Sequence, residues 1–334
     1  MRWLVTGGLG FIGSNFIRMA LRERPDLRIV NLDAMTYAGN PANLRDLEAD
    51  PRYAFFKGSI CDAESVRAAV GEGVDAIVNF AAETHVDRSI LDPAQFLQTD
   101  ILGPQVLLEA ARESAVPRYV HVSTDEVYGE VPEGESREAD PLRPRSPYSA
   151  SKAGGDLLVL AYHATYGTPV SITRGSNTYG PYQYPEKLVP LFVTTLIDDG
   201  AVPLYGDGLQ VRDWIHVDDH ARGILHVLDF GGSGEVYNLG GGNPRTNLEI
   251  TRLLVADCGR SMEVNVRHVA DRAGHDRRYA LDCAKLRALG WSPRVEFDEG
   301  IRETVAWYRA NQDWWRPLKS GEFLEYYERQ YARR

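Results

Sequence analysis

The sequence predicts an α/β fold: a doubly wound parallel sheet, followed toward the carboxyl terminus by a smaller α/β half. Three observations predict it. Short apolar runs alternate with helical stretches through the first half, and a glycine-rich turn joins the first run to the first helical stretch. Beyond about Arg174 that rhythm gives way to turn formers and aromatics. A chain of 334 residues is long for one core. We therefore expect a first domain over residues 1–173, to which the chain returns around 213–245, and a second formed mainly by 174–334.

Trp3-Leu4-Val5 reads as a short buried strand, and Thr6-Gly7-Gly8-Leu9-Gly10-Phe11-Ile12-Gly13 turns from it into an amphipathic helix, Ser14 to Arg24. Gly7 permits the tight turn, Gly10 lets backbone approach a pyrophosphate, and Gly13 lets helix pack on strand, so this is a Rossmann-type loop. The anion belongs at the helix amino terminus. A second strand, Arg28 to Leu32, ends in Asp33, twenty residues beyond Gly13. A carboxylate there bonds both adenosine ribose hydroxyls and repels a 2′-phosphate, which selects NAD over NADP. Further strands are expected near Ala54–Phe56, Ala76–Phe80 and Tyr119–Val122, with helices near Ala63–Val70 and Phe96–Glu113. After the fourth strand, Ala81 and Ala82 are small enough for a cofactor to pass close by.

The run from Arg118 to Val122 leads into Ser123-Thr124-Asp125-Glu126-Val127-Tyr128-Gly129. An isolated Asp-Glu pair is ordinarily a solvated loop. At the carboxyl end of a strand, where open α/β sheets bind ligands, two neighbouring carboxylic acids suit an acid and a base acting on one substrate. Downstream, Ser146-Pro147-Tyr148-Ser149-Ala150-Ser151-Lys152 opens a helix that should run to about Tyr166, its proline in the first turn. The spacing of four stacks Tyr148 and Lys152 on one face. An ammonium beside a phenol favours the phenolate, so the pKa of Tyr148 is expected to fall toward working pH. Tyr148 is then a base for a hydroxyl proton.

In the second half, Asn177 and Lys187 lie in a turn-rich, aromatic segment suited to a pocket wall. Arg212, in the expected strand Val211–Ile215, can grip phosphate; the bland alternative is a salt bridge to Asp213 or Asp207. Thr246 and Glu249 fit a capping box, which leaves Asn247 unaccounted for. Asp271 to Arg278 forms the densest basic cluster, a natural partner for a diphosphate, although Arg277 and Arg278 also fit ordinary surface charge. The tail from Phe297 to Tyr331 should be helical and packed on the body.

Composition narrows the partners. The net charge of −10 argues against a nucleic-acid surface while allowing a local basic pocket. With 43% hydrophobic and 25% charged residues the chain reads as an ordinary folded protein. Met1-Arg2 runs straight into the first strand without a signal-peptide pattern, and no apolar stretch approaches the ~20 residues of a membrane helix. Cys61, Cys258 and Cys283 lack metal-ligand spacing. A cytoplasmic enzyme with reduced thiols, no metal and no membrane partner is the expectation.

The run from Thr6 to Gly13, the block Ala81-Ala82-Glu83-Thr84-His85-Val86-Asp87-Arg88-Ser89, Ser123 to Gly129 and Tyr148 to Lys152 resemble the extended short-chain dehydrogenase/reductase superfamily. Within it, Thr124-Asp125-Glu126, Arg174 to Leu188 and Val211-Arg212-Asp213-Trp214 are similar to the dTDP-glucose 4,6-dehydratases. The resemblance covers essentially the whole chain. It implies that NAD contacts include Phe11, Ile12, Ala34, Met35, Thr36, Ser59, Ile60, Phe80, Thr99 and Thr178, with Lys152 on the nicotinamide ribose. It implies a dTDP-sugar held by Thr84, His85, Asn177, Lys187, Leu188, Pro203, Tyr205, Arg212, Asn247, Arg272 and His275, and a homodimer through the helices near 96–113 and 148–166. Departures from the family pattern are Ser59 and Ala34 on the cofactor side, Asp100 where asparagine is frequent, and Thr84 where serine is; altered cofactor affinity is expected before altered reaction.

The chemistry so implied is a loss of water across carbons 5 and 6 of a hexose, made feasible by transient oxidation at carbon 4. Thr124 and Tyr148 serve the carbon 4 oxygen, Glu126 is the base at carbon 5, and Asp125 the acid at carbon 6. Like charges side by side favour one neutral and one ionised member, but which is which follows from the resemblance alone. Alternatives are a nucleotide-sugar epimerase, a dehydratase of a UDP or GDP sugar and, from another class, a non-catalytic NAD-binding regulator.

Overall fold

The computed structural model describes residues 1–331. In chain order it runs β1 (Arg2–Thr6), α1 (Phe11–Glu23), β2 (Arg28–Asp33), β3 (Tyr53–Lys57), α2 (Ala63–Val70), β4 (Ala76–Asn79), α3 (Val86–Leu91), α4 (Ala94–Leu97) and α5 (Gly103–Glu113). There follow β5 (Tyr119–Thr124), α6 (Pro147–Tyr166), β6 (Val170–Gly175), β7 (Asn177–Tyr179), α7 (Leu188–Ile197), β8 (Val202–Tyr205) and β9 (Val211–His216). The rest includes α8 (Val217–Phe230), β10 (Glu235–Leu239), β11 (Pro244–Thr246), α9 (Asn247–Asp257), β12 (Val266–Val269) and a helix from Phe297 to Ala310.

Seven strands form one all-parallel sheet in the order β10-β6-β5-β4-β1-β2-β3. Both faces are covered, so the inner strands are apolar on both sides. Trp3, Val5, Val78 and Val120 pack toward α1 and α8, whereas Leu4, Ile77 and Tyr119 pack toward α2, α5 and α6. The order of strands reverses between β1 and β4, and a ligand crevice opens outside the carboxyl ends at such a point. Strand β6 extends the sheet to Gly175, and β10 returns to it from residue 235.

Two small sheets, β11-β9-β7 and β12-β8, lie in the second half. Their core is a separate apolar cluster including Leu191, Phe192, Trp214, Ile250, Leu254, Phe297, Tyr308 and Trp315. The helix expected over 96–113 is interrupted. Gln98–Leu102 forms a π turn between α4 and α5, and there the buried Asp100 accepts from Glu83 N (3.0 Å) and from Ser151 Oγ (2.7 Å). A buried carboxylate bonded by donors from two other segments accounts for a bulge at this point. Strand β5 also runs two residues past Val122, placing Thr124 opposite Gly175.

Among the described residues no helix is long and apolar enough to cross a membrane, and no group of His, Cys, Asp or Glu is placed to hold a metal ion. Cys61, Cys258 and Cys283 are free thiols.

Candidate active site

A single cleft of about 830 Å³ runs from the first glycine turn, across the carboxyl ends of the sheet, into the second half. At one end lie Gly7, Gly10, Phe11, Ile12 and Gly13, with Asp33, Ala34, Thr36, Ser59 and Ile60 beside them. Gly7 has φ 67°, and a Cβ on it would stand 2.6 Å from Ala81 N; one on Gly13 would stand 2.5 Å from Gly7 O. No other residue lets turn, helix and the Ala81 strand end close up this far. Asp33 accepts from Leu9 N (2.9 Å) and Met35 N (2.8 Å), which aims its carboxylate along the same wall. Burial pushes its pKa up, against those two N–H groups. These features fit a dinucleotide: a backbone cradle at a helix start for the pyrophosphate, and an anchored acid for a ribose.

Met35 departs from expectation. It does not line the cleft; with φ 55° its backbone turns and its side chain packs on the core beneath the sheet. The left-handed turn that presents the amide to Asp33 sends the thioether the other way. Ser59 Oγ accepts from Cys61 N (3.1 Å), so this hydroxyl is partly engaged in its own loop.

Midway, Phe80, Ala81, Ala82, Thr84, His85, Thr99 and Thr178 join Thr124, Asp125, Glu126, Tyr148 and Lys152 on the wall. Strand β5 delivers Thr124, whose Oγ1 caps the following 3-10 turn by accepting from Glu126 N (3.3 Å) and donates to Asp125 Oδ1 (3.2 Å). The two acids have unequal surroundings. Asp125 is 3% exposed, and burial, then the charge of Glu126, push its carboxyl up to about 8 against the pull of Arg212. Its Oδ2 is buried with no hydrogen-bond partner among the described residues, where a protonated acid can turn a donor toward a ligand. Glu126 is more open and accepts at long range from Tyr279 OH (3.5 Å).

Helix α6 opens with Pro147 in its first turn, as its sequence predicts, and with a complete capping box between Ser146 and Ser149. The expected depression of Tyr148 is not found. Burial, then the negative charges of Glu126 and Asp100, hold its phenol well above the usual value, opposed by a hydrogen bond with Thr124. Lys152 Nζ instead donates to Val122 O (2.9 Å). Burial and these negative charges thus override the lowering that the spacing to Lys152 predicts.

The far end gathers Asn177, Lys187, Leu188, Pro203, Tyr205, Arg212, Asn247, Arg272 and His275. Arg212 makes neither of the salt bridges weighed from sequence. It donates to Val211 O (2.8 Å) and Asp276 O (2.9 Å) and lies 4.2 Å over the Tyr279 ring, while Asp207 pairs with Arg277. Lys187 Nζ donates to Thr84 O; burial lowers its pKa, with Glu186 and Glu126 opposing. Arg272 is held above its usual value because Asp87 and Glu126 outweigh burial, and its Nε is buried with no partner among the described residues. His275, pushed down to about 4 by burial and then Arg272, is neutral. His85 is also held neutral, by burial and the cations around it. Three cations and an unmatched guanidinium donor make an anion seat in an otherwise acidic protein.

Sequence reading missed Tyr279, which touches Glu126 from 153 residues away and lies under the Arg212 guanidinium. It also missed His220, whose Nδ1 lies 2.6 Å from Thr178 Oγ1, and Glu186, which bonds Tyr37 and Arg88. A histidine on the apolar side of a helical pattern was the one available hint, for His220.

Known proteins share this architecture. The family model described as GDP-mannose 4,6 dehydratase matches residues 4–304. A dTDP-glucose 4,6-dehydratase of Streptomyces niveus is 53% identical over 325 residues, 96% of either chain. A dTDP-glucose 4,6-dehydratase from Streptomyces venezuelae, solved with NAD bound, superposes with a TM-score of 0.93 at 55% identity, covering 96% of this chain and all of that one. A UDP-glucose 4-epimerase of Thermus thermophilus solved with NAD reaches 0.86 at 35% identity over 93% of this chain and all of that one. The fold is therefore shared with epimerases, at lower identity. The chain belongs to the nucleotide-sugar 4,6-dehydratase family that this model describes and, within it, stands with the dTDP-glucose 4,6-dehydratases.

Proposed function

We propose that this chain converts dTDP-glucose to dTDP-4-keto-6-deoxyglucose and water, with NAD as resident cofactor held by Gly7, Gly10, Gly13, Asp33, Tyr148 and Lys152. The observation that carries this is the split pair at the end of β5: a buried Asp125 that keeps its proton beside a more open Glu126, both on the wall that bears Tyr148 and Lys152. NAD bound there supplies a reversible seat for one hydride, and the positive charge of its oxidised ring adds to that of Lys152 beside Tyr148.

Tyr148, as the phenolate that these two positive charges favour, takes the proton of the hydroxyl at carbon 4, and Thr124 turns its one hydroxyl proton from Asp125 to the same sugar oxygen. The ketone formed at carbon 4 makes the carbon 5 proton acidic, because its removal leaves an enolate. Glu126 removes that proton. Asp125 donates its own to the hydroxyl at carbon 6, which departs as water. The hydride taken from carbon 4 is returned at carbon 6, Glu126 returns a proton to carbon 5, and the proton gained by Tyr148 replaces, by way of solvent, the one Asp125 gave up, so atoms and electrons balance. Arg212, Arg272 and Lys187 seat the diphosphate, and Pro203 and Tyr205 flank the base.

The cytoplasm is the site of reaction consistent with three free thiols. A homodimer is supported by exposed Leu97, Leu102 and Leu157 on the paired helices α4–α5 and α6. The test is direct. Purified protein incubated with dTDP-glucose should give a product whose 4-keto group absorbs in base. Formation of the carbon 4 epimer instead would favour an epimerase, and no turnover of any nucleotide sugar would refute both.

A further inference from the structure

The reaction scheme leaves Glu186 without a task, although its side chain is 1% exposed and both oxygens are committed. Oε1 accepts from Tyr37 OH (2.9 Å) and Oε2 from Arg88 Nε (3.1 Å), while the guanidinium lies 3.8 Å over the Tyr37 ring. These residues come from three segments with separate duties. Tyr37 lies in the loop that leaves Asp33, inside the turn closed by Thr36 and Gly39, Arg88 lies three residues beyond His85 in α3, and Glu186 immediately precedes Lys187 and Leu188. Lys187 ties the second and third of these segments again through Thr84 O.

Two of the joined loops carry a non-glycine residue in the left-handed region, Met35 at φ 55° and Tyr182 at φ 69°. Such backbone persists only where surrounding contacts over-determine it. A buried carboxylate shared by a phenol and a guanidinium is such a contact, because losing either donor strands a charge away from water.

We propose that Glu186 is a positioning residue that couples the two ends of the cleft, so that NAD at Asp33 and a nucleoside diphosphate at Lys187 hold each other in place. This rests on the reading of the cleft as an NAD and dTDP-sugar site. Ordering the 182–188 segment around a diphosphate stiffens, through Glu186, the Tyr37 turn whose other end holds Asp33. By linkage the effect is reciprocal: each ligand tightens the other by the same factor. A reaction that returns the hydride it borrows loses nothing by keeping its cofactor seated.

The experiment times exchange of bound NAD against excess labelled NAD, with and without dTDP, in the wild type, Tyr37→Phe and Glu186→Gln. Tyr37→Phe removes one hydroxyl on the cofactor side, and Glu186→Gln keeps the shape while deleting the charge. Wild-type exchange should slow about tenfold when dTDP binds, and by less than about twofold in either variant. A merely structural role would lower the melting temperature and leave that ratio as in the wild type. Equal ratios in all three proteins, or none in a wild type that binds both ligands, overturn the coupling and leave the dehydratase reading standing. A wild type that binds neither ligand overturns both.

Discussion

Asp125 and Glu126 are neighbours of nearly the same chemistry, and burial is the largest influence that separates them. A carboxylate loses hydration when walled in, so the buried member holds its proton to about 8 while the more open one is left to act as base. Two predictions belong at this scale. Glu126→Gln should lower kcat by about 10²–10⁴-fold while reduced cofactor still accumulates, seen by its near-ultraviolet absorbance; water release at the original rate would show that the base is elsewhere. For Asp125 the native pKa is raised, so its contribution to stability is whole below the unfolded value of about 4 and is lost as pH rises through about 8. Thermal melts should therefore show Asp125→Asn gaining on the wild type between these limits, by on the order of 5 kcal/mol at the alkaline end, and wild-type kcat should fall above pH about 8 as the acid is spent. A stability difference flat across that range would contradict the assignment.

At the level of elements, α6 places the pair that the chemistry needs. Ser146 Oγ accepts from Ser149 N (3.1 Å) and Ser149 Oγ from Ser146 N (3.0 Å), with Pro147 pre-set for the first turn. Ser146→Ala should cost about 1 kcal/mol, read as a melting-temperature drop of roughly 2–4 °C, with a loss of kcat because Tyr148 sits one residue inside the frayed turn. One turn beyond Lys152 the same helix presses on the π turn, where a Cβ on Gly155 would lie 2.5 Å from Asp100 O. Gly155→Ala should destabilise by about 1–3 kcal/mol; a variant as stable as the wild type would mean the two elements are not packed this tightly. The extent of α6 was anticipated in the sequence, with Pro147 in its first turn and Tyr148 and Lys152 four apart on one face. The π turn was not, because a bulge answers to donors on Glu83 and Ser151, from two other segments.

The whole molecule sets a cluster of cations inside an acidic chain. Lys187 comes from the start of α7, Arg212 from β9 and Arg272 from the loop after β12, yet they line one end of one cleft. Charge-assisted bonds of this kind are worth about 1.5–3 kcal/mol each. Arg272→Gln should therefore raise KM for dTDP-glucose roughly 10–100-fold with a smaller effect on kcat; an unchanged KM would place the diphosphate elsewhere. On the outer face, Leu157 is 58% exposed, and sedimentation should show Leu157→Glu shifting dimer to monomer. A monomeric wild type would refute the dimer.

What the sequence by itself determined was whatever a single turn or strand can encode. The glycine loop, the acid twenty residues after it, the spacing from Tyr148 to Lys152 and the capping box of Thr246 and Glu249 are short-range geometry, and each stands in the structure. Tertiary structure alone decided which of two adjacent acids is buried, and it kept Tyr148 a neutral phenol where local spacing predicted otherwise. It also brought Tyr279 against Glu126 and Glu186 against Tyr37, across 153 and 149 residues of chain. Protonation states and long-range partners depend on what packs around a group, and no local pattern carries that information.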